Sequence, residues 1–309
     1  LMYNNLDRNI PPPVSATSGG AWQSDQLLLT QIEYDLIPFK RAFLKLRSGY
    51  QMQDNRYNLP GVVDATTRIN GWNNKVDFGY DWSNKLQVNG TLQFDRSWIK
   101  SDGVGNITEN LYNGLINANW RVIVPLKLAF GFRVNGISKS TPVIMPYGGL
   151  VWEISPTSGN LRLNISEVYR FPTINERYWK PGGNPDLLPE RGWNYELGYS
   201  YKKKLGIYHV SAGITGFYSD IDNWILWTPS SNNSAIWEPQ NIWNVIDKGM
   251  EFVFNFNFRP TGNIEVETGL NYSYTHVYAS EIKNGNPEIS GKQLLLSPQN
   301  QFTIPISIR

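Results

Sequence analysis

Apolar and polar residues alternate with a period of two along most of the chain. Successive side chains of a β-strand point to opposite faces of a sheet, so this period predicts strands with one apolar and one polar face. Three segments show it clearly, with apolar positions Leu86, Val88, Leu92 and Phe94; Phe252, Phe254, Phe256 and Phe258; and Phe302, Ile304, Ile306 and Ile308.

The pattern predicts about thirteen strands and no helix. They begin near Gln26, Ala42, Trp72, Lys85, Leu111, Lys127, Met145, Leu161, Gly192, Gly206, Gly249, Asn263 and Gln299. Tight turns are expected at 37–40, 83–84, 124–126, 155–160, 203–205 and 259–262. Long loops are expected at 11–24, 52–70, 98–110, 171–190, 228–240 and 279–298, with a shorter one near 138–144. Because the two kinds alternate, the turns lie at one rim of a hairpin meander and the loops at the other.

Three features favour an outer-membrane barrel over a soluble β-sandwich. The predicted strands exceed the five or six residues usual in soluble sheets, and aromatic residues such as Trp72 and Trp82 mark their ends. Charged residues such as Lys45, Arg47 and Arg121 lie in mid-strand on the polar face, which suits a hydrated lumen. We therefore predict an all-β, antiparallel up-and-down transmembrane β-barrel whose long-loop rim is extracellular.

A meander of thirteen strands cannot close as an even-stranded bacterial barrel. We therefore expect residues 1–309 to be the central part of a larger barrel, with strands absent on both sides. The first residues show no basic start and no apolar core of a secretory leader, so a mature or internal piece is expected.

Composition excludes several function classes. The net charge of +2 gives no reason to expect a nucleic-acid partner, and the absence of cysteine excludes disulfides, thiol nucleophiles and cysteine metal sites. The two histidines are far apart, and no Ser-His-Asp set, phosphate-binding glycine loop or pair of catalytic carboxylates occurs. We predict no catalytic residues, no metal site, no cofactor and no enzyme activity.

Five segments in order resemble the TonB-dependent outer-membrane receptors: 166–179, 183–190, 194–198, 216–225 and 244–251. That family carries a similar run of the form FRxPTxxELY, GNPxLxPE and NYELG. Here Arg170 precedes Phe171, and Arg177 stands where leucine is usual. The matching motif residues are Arg170, Phe171, Pro172, Thr173, Asn184, Pro185, Pro189 and Glu190.

The resemblance implies a receptor in the Gram-negative outer membrane, built on a barrel of about 22 strands. It implies active uptake of a large scarce nutrient through a plug domain on which a TonB–ExbB–ExbD-type motor pulls. Neither a plug nor a motor-contacting box is found in the chain. Outer-membrane lipids, a small-molecule ligand and a surface lipoprotein are the expected partners. A finer resemblance, at 224–229 and 237–241, is to cobalamin-receptor-like sequences of the Bacteroidetes type.

The motif segment also has an interpretation from its residues alone. Pro172, Pro181, Pro185 and Pro189 prevent a continuous strand or helix, and Gly182 and Gly183 permit a sharp bend, so an ordered loop is expected. Glu190 could fix that loop by accepting backbone N–H groups. Two roles remain open: a loop-packing motif without ligand contact, or a contribution to the ligand site.

Aromatic and amide side chains near the long-loop rim form the ligand hypothesis. Flat rings beside amides suit a large, mostly apolar ligand such as a corrinoid, a sugar or a siderophore. The competing interpretation is an interfacial aromatic belt. The candidate residues are Tyr178, Trp179, Asn223, Trp224, Trp227, Trp237, Gln240 and Asn241.

The predicted function is active transport, with a corrinoid (vitamin B12-like) as the first ligand and a ferric siderophore as the second. Two alternatives from other classes remain: a passive porin-like barrel and a soluble glycan-binding β-sandwich.

Overall fold

The computed structural model describes residues 1–11, 20–61, 63–138, 140–155, 159–230, 236–261, 264–282, 290–294 and 297–308. Fifteen strands and one short helix account for most of them. One sheet contains all the strands in the order β1 to β14, and β15 pairs with β13. The bounds are β1 Met2–Ile10, β2 Ala21–Phe39, β3 Ala42–Leu59, β4 Val63–Asp81, β5 Leu86–Ser101, β6 Gly105–Ile123, β7 Leu126–Ile137, β8 Val143–Ser155, β9 Gly159–Arg170, α1 Ile174–Tyr178, β10 Glu190–Leu205, β11 Tyr208–Pro229, β12 Trp237–Thr261, β13 Ile264–Ile282, β14 Asn300–Thr303 and β15 Ile306–Ile308.

The predicted antiparallel up-and-down topology is confirmed, because each strand from β1 to β13 pairs antiparallel with the next along the chain. The described residues hold two more strands than the thirteen predicted. Residues Met2–Ile10 form a strand beside β2. The last predicted strand is interrupted at Pro305, which has no N–H to donate, and both of its halves pair with β13.

Two predicted long loops, 52–70 and 98–110, are instead extended hairpins. Strands β3 and β4 continue to a turn after Leu59, and β5 and β6 are separated by residues 102–104 alone. These extensions are rich in polar residues, although Ile99 pairs with Ile107, so their sequence resembles that of loops. Polar cross-strand contacts support them instead: Arg56 to Asp64 at 3.1 and 2.8 Å, and the N–H of Thr66 to Asp102 at 2.8 Å.

Other boundaries also move outward, because the strands run past the predicted ten to thirteen residues. Strands β2 and β4 begin at Ala21 and Val63, and β11 ends at Pro229. The segment 203–205 still belongs to β10, and Gly206 lies in the turn that follows rather than at a strand start. Residues 12–19, 156–158, 231–235, 262–263 and 283–289, which include predicted connections and Asn263, lie outside the described residues.

The two faces of the sheet differ as the alternation predicts. On one face Leu92 has Val76 and Gly114 as neighbours in the register, and apolar side chains remain exposed, such as Ile32 at 77% and Leu92 at 59%. On the other face Lys45 and Arg47 bind Glu33 at 3.0 and 2.7 Å. Within the described residues no second layer covers the apolar face. The sandwich alternative is therefore wrong, since a sandwich buries that face between two sheets.

The only helix in the described part of the chain, α1, is five residues long. No helix there is long and apolar enough to cross a membrane.

Candidate functional site

Residues 171–189 form the connection between β9 and β10 and contain the short helix α1. Thr173 caps the helix: its hydroxyl accepts a hydrogen bond from the N–H of Glu176 at 3.2 Å, and its own N–H donates to the Glu176 carboxylate at 2.7 Å. This reciprocal capping box explains why so short a helix forms after three non-helical residues. The sequence prediction of no helix missed α1, although the Thr-x-x-Glu spacing was visible.

Arg170 joins the two ends of the connection. It lies opposite Glu190 in the β9–β10 register and donates two hydrogen bonds of 2.6 Å to that carboxylate. A further bond of 2.9 Å reaches Glu176. Glu190 Oε1 also accepts a hydrogen bond from the backbone N–H of Ile225 on β11 at 2.9 Å. The sequence analysis expected Glu190 to accept backbone N–H groups. We call Arg170, Thr173, Glu176 and Glu190 the Arg170 cluster.

The charges of the Arg170 cluster compensate one another. The side chains of Glu176 and Glu190 are only 12% and 9% exposed, and one guanidinium serves both. The hydrogen bonds that Arg170 donates to Glu190, opposed by burial, raise the pKa of Arg170 above its ordinary value. Burial acts to raise the pKa of Glu176, but Arg170 and the Thr173 N–H outweigh it, and the net shift is downward from 4.5.

Acid is therefore expected to loosen this connection. A carboxyl whose pKa is lower in the folded protein contributes stability above its unfolded value of 4.5, and that contribution is lost as the pH falls through the folded value. Limited proteolysis of residues 171–189 between pH 6 and pH 3 measures it. The Glu176→Gln variant should cleave faster at pH 6 and show a weaker pH dependence than the wild type. An unchanged pH profile in that variant would assign the acid sensitivity to other groups.

On one side the connection is attached to the β5–β6 hairpin, which extends further at the long-loop rim than the adjacent β7–β8 hairpin. Strand β7 ends beside β6, where the Ser138 N–H bonds the Asn110 carbonyl at 2.9 Å, while β6 itself reaches Gly105. The connection crosses above the short β7–β8 hairpin to reach β5 and β6. There Arg177 binds Glu109 at 2.5 Å, and the Lys180 N–H donates to the Gly103 carbonyl at 2.8 Å. Glu109 and Gly103 were not foreseen, because both partners lie far from 171–189 in sequence.

On its other side the connection is bound to β11 and β12. The amide of Asn241 accepts the Leu188 N–H at 2.8 Å and donates to the carbonyls of Leu188 at 2.9 Å and Asn223 at 2.6 Å. Asn184 donates to the Pro239 carbonyl at 3.2 Å. The amide of Asn241, predicted to contact ligand, is thus engaged by the protein itself, and Asn223 takes part through its carbonyl.

The predicted aromatic residues fall into two groups. Trp224 and Trp227 are half-buried in β11, opposite Trp243 and Pro239, with Gln240 beside them opposite Leu226. Trp237, Trp179 and Tyr178 are 55%, 43% and 37% exposed. Within this second group the Arg177 guanidinium lies 5.1 Å from the Tyr178 ring centroid, and the Trp179 ring lies against Gly103, so Trp237 is the most exposed of the three.

Trp179 and Trp237 flank the corner at Gly182 and Gly183. A Cβ on Gly182 would lie 2.2 Å from the Trp237 carbonyl oxygen, and one on Gly183 would lie 2.5 Å from the Trp179 nitrogen. Glycine at both positions allows the backbones of the two tryptophans to meet at one corner. The ring of Trp179 itself lies against Gly103, where an added Cβ would come within 2.5 Å of it. The structure thus places together two candidates that are distant in sequence.

The remaining motif residues lie within or beside this connection. The ring of Phe171 contacts Tyr169 at a centroid distance of 4.8 Å, Pro172 is buried, and Pro185 and Pro189 lie in the irregular part of the connection. Among the described residues no group of three or more His, Asp or Glu side chains is arranged to hold a metal ion.

Comparison with known proteins agrees with this architecture. Residues 3–309 match the family model described as TonB dependent receptor-like, beta-barrel. The vitamin B12 transporter BtuB of Photobacterium profundum is 37% identical over 111 residues, 35% of this chain and 17% of that protein. An iron-regulated outer membrane virulence protein of Vibrio cholerae is 26% identical over 229 residues, 69% of this chain and 34% of its own length.

The FrpB iron transporter from Neisseria meningitidis has a similar structure, with a TM-score of 0.69 at 15% identity, over 98% of this chain and 52% of that one. The chain therefore spans about half the length of this neighbour and less of the curated relatives. Members of the family are transport receptors of the Gram-negative outer membrane. With the sheet, its two faces and the family match in agreement, this chain belongs to the TonB-dependent receptors and provides strands of their β-barrel.

Proposed function

We propose that this chain forms part of the barrel wall and of the outer rim of an active transporter that takes up a corrinoid. The observation that carries the proposal is the exposed Trp237, at 55%, beside the ordered corner formed by Gly182 and Gly183 at the long-loop rim. A flat exposed ring beside an ordered loop suits a large planar ligand with an apolar face. Similarity to a vitamin B12 transporter supports the choice of corrinoid.

A ferric siderophore is the second candidate. The match to an iron-regulated protein extends over more of this chain, 69% against 35%, although at lower identity. Uptake by either route is proposed to need the TonB–ExbB–ExbD-type motor, acting through a plug domain. A surface lipoprotein partner and a Bacteroidetes origin remain predictions without further support.

Replacing Trp237 by alanine is expected to weaken cyanocobalamin binding about tenfold, because rigid aromatic contacts dominate the affinity of such sites. Barrel assembly should not change, since the side chain is 55% exposed. Equilibrium binding in detergent and heat-modified migration measure the two effects. Trp82→Ala is the matched control, since that ring is 69% exposed at a tight turn on the other rim.

The same assay distinguishes the candidates. Binding of ferric enterobactin but not cyanocobalamin, weakened by Trp237→Ala, would replace the corrinoid by a siderophore. Equal affinity of the wild type and Trp237→Ala for both ligands would remove this corner from the ligand site. Uptake that persists after collapse of the proton-motive force would favour the passive porin-like barrel over active transport.

A further inference from the structure

The apolar face of the sheet, which meets lipid in a barrel of this family, becomes basic towards the long-loop rim. From the tight turn upwards, the β5 residues on this face are Leu86, Val88, Gly90, Leu92, Phe94, Arg96, Trp98 and Lys100. With a rise of about 3.3 Å per residue and a strand tilt of about 40°, Arg96 lies about 25 Å above Leu86, which is the height of the apolar band in such barrels. Arg96 and Lys100 therefore lie on the outside of the wall, at the level of the lipid headgroups.

Strand β4 adds a cation and an aromatic ring to the same region. In the register Arg96 pairs with Trp72, and Lys100 pairs with Arg68. All of these side chains are exposed, and the Arg96 guanidinium lies 5.3 Å from the ring centroid of Trp98. We call Arg68, Trp72, Arg96, Trp98 and Lys100 the outward basic cluster. It combines cations with the aromatic type that is enriched at membrane–water interfaces.

Two cations of the outward basic cluster have no carboxylate partner. No salt bridge between described residues involves Arg96 or Lys100. The carboxylates of this face nearby are already engaged: Asp54 by Arg68 at 2.5 and 3.0 Å, Asp64 by Arg56 at 3.1 and 2.8 Å, and Asp102 by the N–H and hydroxyl of Thr66 at 2.8 and 3.0 Å. The positive charges of Arg96 and Lys100 are thus left for another molecule to neutralise.

The positive charge is local and does not form a belt around the wall. At a similar distance from the tight-turn rim, the same face of β9 to β11 carries an excess of carboxylates. Glu167 and Asp220 lie on either side of Trp193 in the register, and Asp222 lies opposite Arg191. Arg191 binds Glu167, so the charges of Asp220 and Asp222 remain. An anion at the headgroup level is therefore attracted to β4 and β5 and repelled by β11.

We propose that the outward basic cluster binds the phosphorylated headgroup of a membrane lipid. Because the long-loop rim is the expected extracellular side, this is a lipid of the outer leaflet. Arginine and lysine form charge-assisted hydrogen bonds with phosphate oxygens. A concave surface of about 610 Å³ on this face, lined by Asp54, Arg68, Lys100 and Asn106 among others, provides space for the headgroup.

The apolar residues below the cluster favour a lipid over a soluble anion. Leu92 and Tyr112 are 59% and 47% exposed on the same face, directly below Arg96 and its neighbour Asn110. Acyl chains attached to a headgroup at the cluster would lie along these side chains and remove them from water, whereas a free anion gains nothing from them. The site lies on the outside of the wall, so it is independent of the ligand corner at Trp237 and of whatever fills the lumen.

The test measures binding of lipid A, a diphosphorylated lipid, to the full chain in detergent by native mass spectrometry. The double variant Arg96→Gln, Lys100→Gln should weaken binding about tenfold, the combined effect expected of two exposed ion pairs. The matched control is Lys85→Gln, Lys203→Gln. It removes the same charge from exposed side chains at the tight-turn rim, and neither lysine takes part in an ion pair within the described ranges.

Weaker binding in the double variant alone supports the proposal. Equal weakening in the control, or no saturable binding to the wild type, overturns it in favour of general charge attraction. Displacement of lipid A by equimolar inorganic phosphate overturns it in favour of a site for a free anion. Equal affinity for dioleoylglycerol, which has no phosphate, assigns the binding to acyl chains alone. A dimer of the wild type that dissociates in the double variant overturns the proposal in favour of contact between two copies.

Heat-modified migration reports whether each variant assembles. Should the double variant fail to assemble, Lys100→Gln alone should weaken lipid A binding two- to threefold, because one exposed ion pair is lost. An unchanged affinity in that single variant would contradict the proposal.

Discussion

Replacing Arg170 by alanine is expected to lower the free energy of unfolding by about 2 kcal/mol. The substitution leaves the carboxylates of Glu176 and Glu190, 12% and 9% exposed, without the cation that neutralises both. The cost stays below that of a fully buried pair because the Arg170 side chain is itself 40% exposed, so water partly screens the charges. Urea titration in detergent, followed by tryptophan fluorescence, measures the loss.

The matched control is Arg259→Ala, which removes the Arg259 Nη2 nitrogen that contacts both carboxylate oxygens of Glu265 at 2.7 Å near the opposite rim. Arg259 is 59% exposed, and we expect a loss below about 0.5 kcal/mol. Arg170→Lys should fall between the two, because lysine keeps the charge but cannot form the two-bond fork to Glu190. Equal losses in Arg170→Ala and Arg259→Ala would show that the Arg170 cluster is an ordinary surface ion pair.

Replacing Gly192 by alanine is expected to cost about 3 kcal/mol, or to prevent assembly of the barrel. A Cβ at this position would lie 2.0 Å from the carbonyl oxygen of Asp220 and 2.8 Å from the Cα of Ile221, both on β11. These are backbone atoms, so relief requires β10 and β11 to separate. Glu190, two residues earlier, would then lose its contact with Ile225. Heat-modified migration and urea titration report assembly and stability.

Gly213→Ala is the control for this substitution. Gly213 lies on β11, and a Cβ there would come no closer than 3.7 Å to the carbonyl oxygen of Tyr199. The free energy of unfolding of this variant should change by less than about 0.5 kcal/mol, since alanine fits the space and slightly reduces the conformational freedom of the unfolded chain. A Gly192→Ala protein as stable as Gly213→Ala would mean that the close approach of the two strands is readily relieved.

Alternation in the sequence was sufficient to predict the topology and the orientation of the side chains. The apolar positions Leu86, Val88 and Leu92 lie on one face as expected, because a period of two fixes faces wherever one side must meet lipid. The same rule failed beyond that region. The extensions at Arg56 and Asp64 are rich in polar residues, and their pairing is supported by a cross-strand contact that the alternation does not encode.

Local signals predicted part of the candidate site. The prolines and glycines between 171 and 189 indicated an ordered loop, and Glu190 was expected to accept backbone N–H groups. The contact of Arg177 with Glu109 joins residues far apart in sequence, so nothing nearby announced it. The identity of the ligand remains a prediction. So does the expectation that residues 1–309 are the central part of a barrel with a separate plug.

The connection between β9 and β10 also has a mechanical consequence. It is fixed to β5–β6 through Arg177 and Lys180, and to β12 through Asn184 and Asn241, across the low hairpin of β7 and β8. The connection therefore links the β5–β6 and β11–β12 hairpins, so a force that pulls on one of them is transmitted to the other instead of widening the gap between them. Separating these two hairpins must break hydrogen bonds on at least one side of the connection. We therefore expect the long-loop rim to be stiffest above the short β7–β8 hairpin.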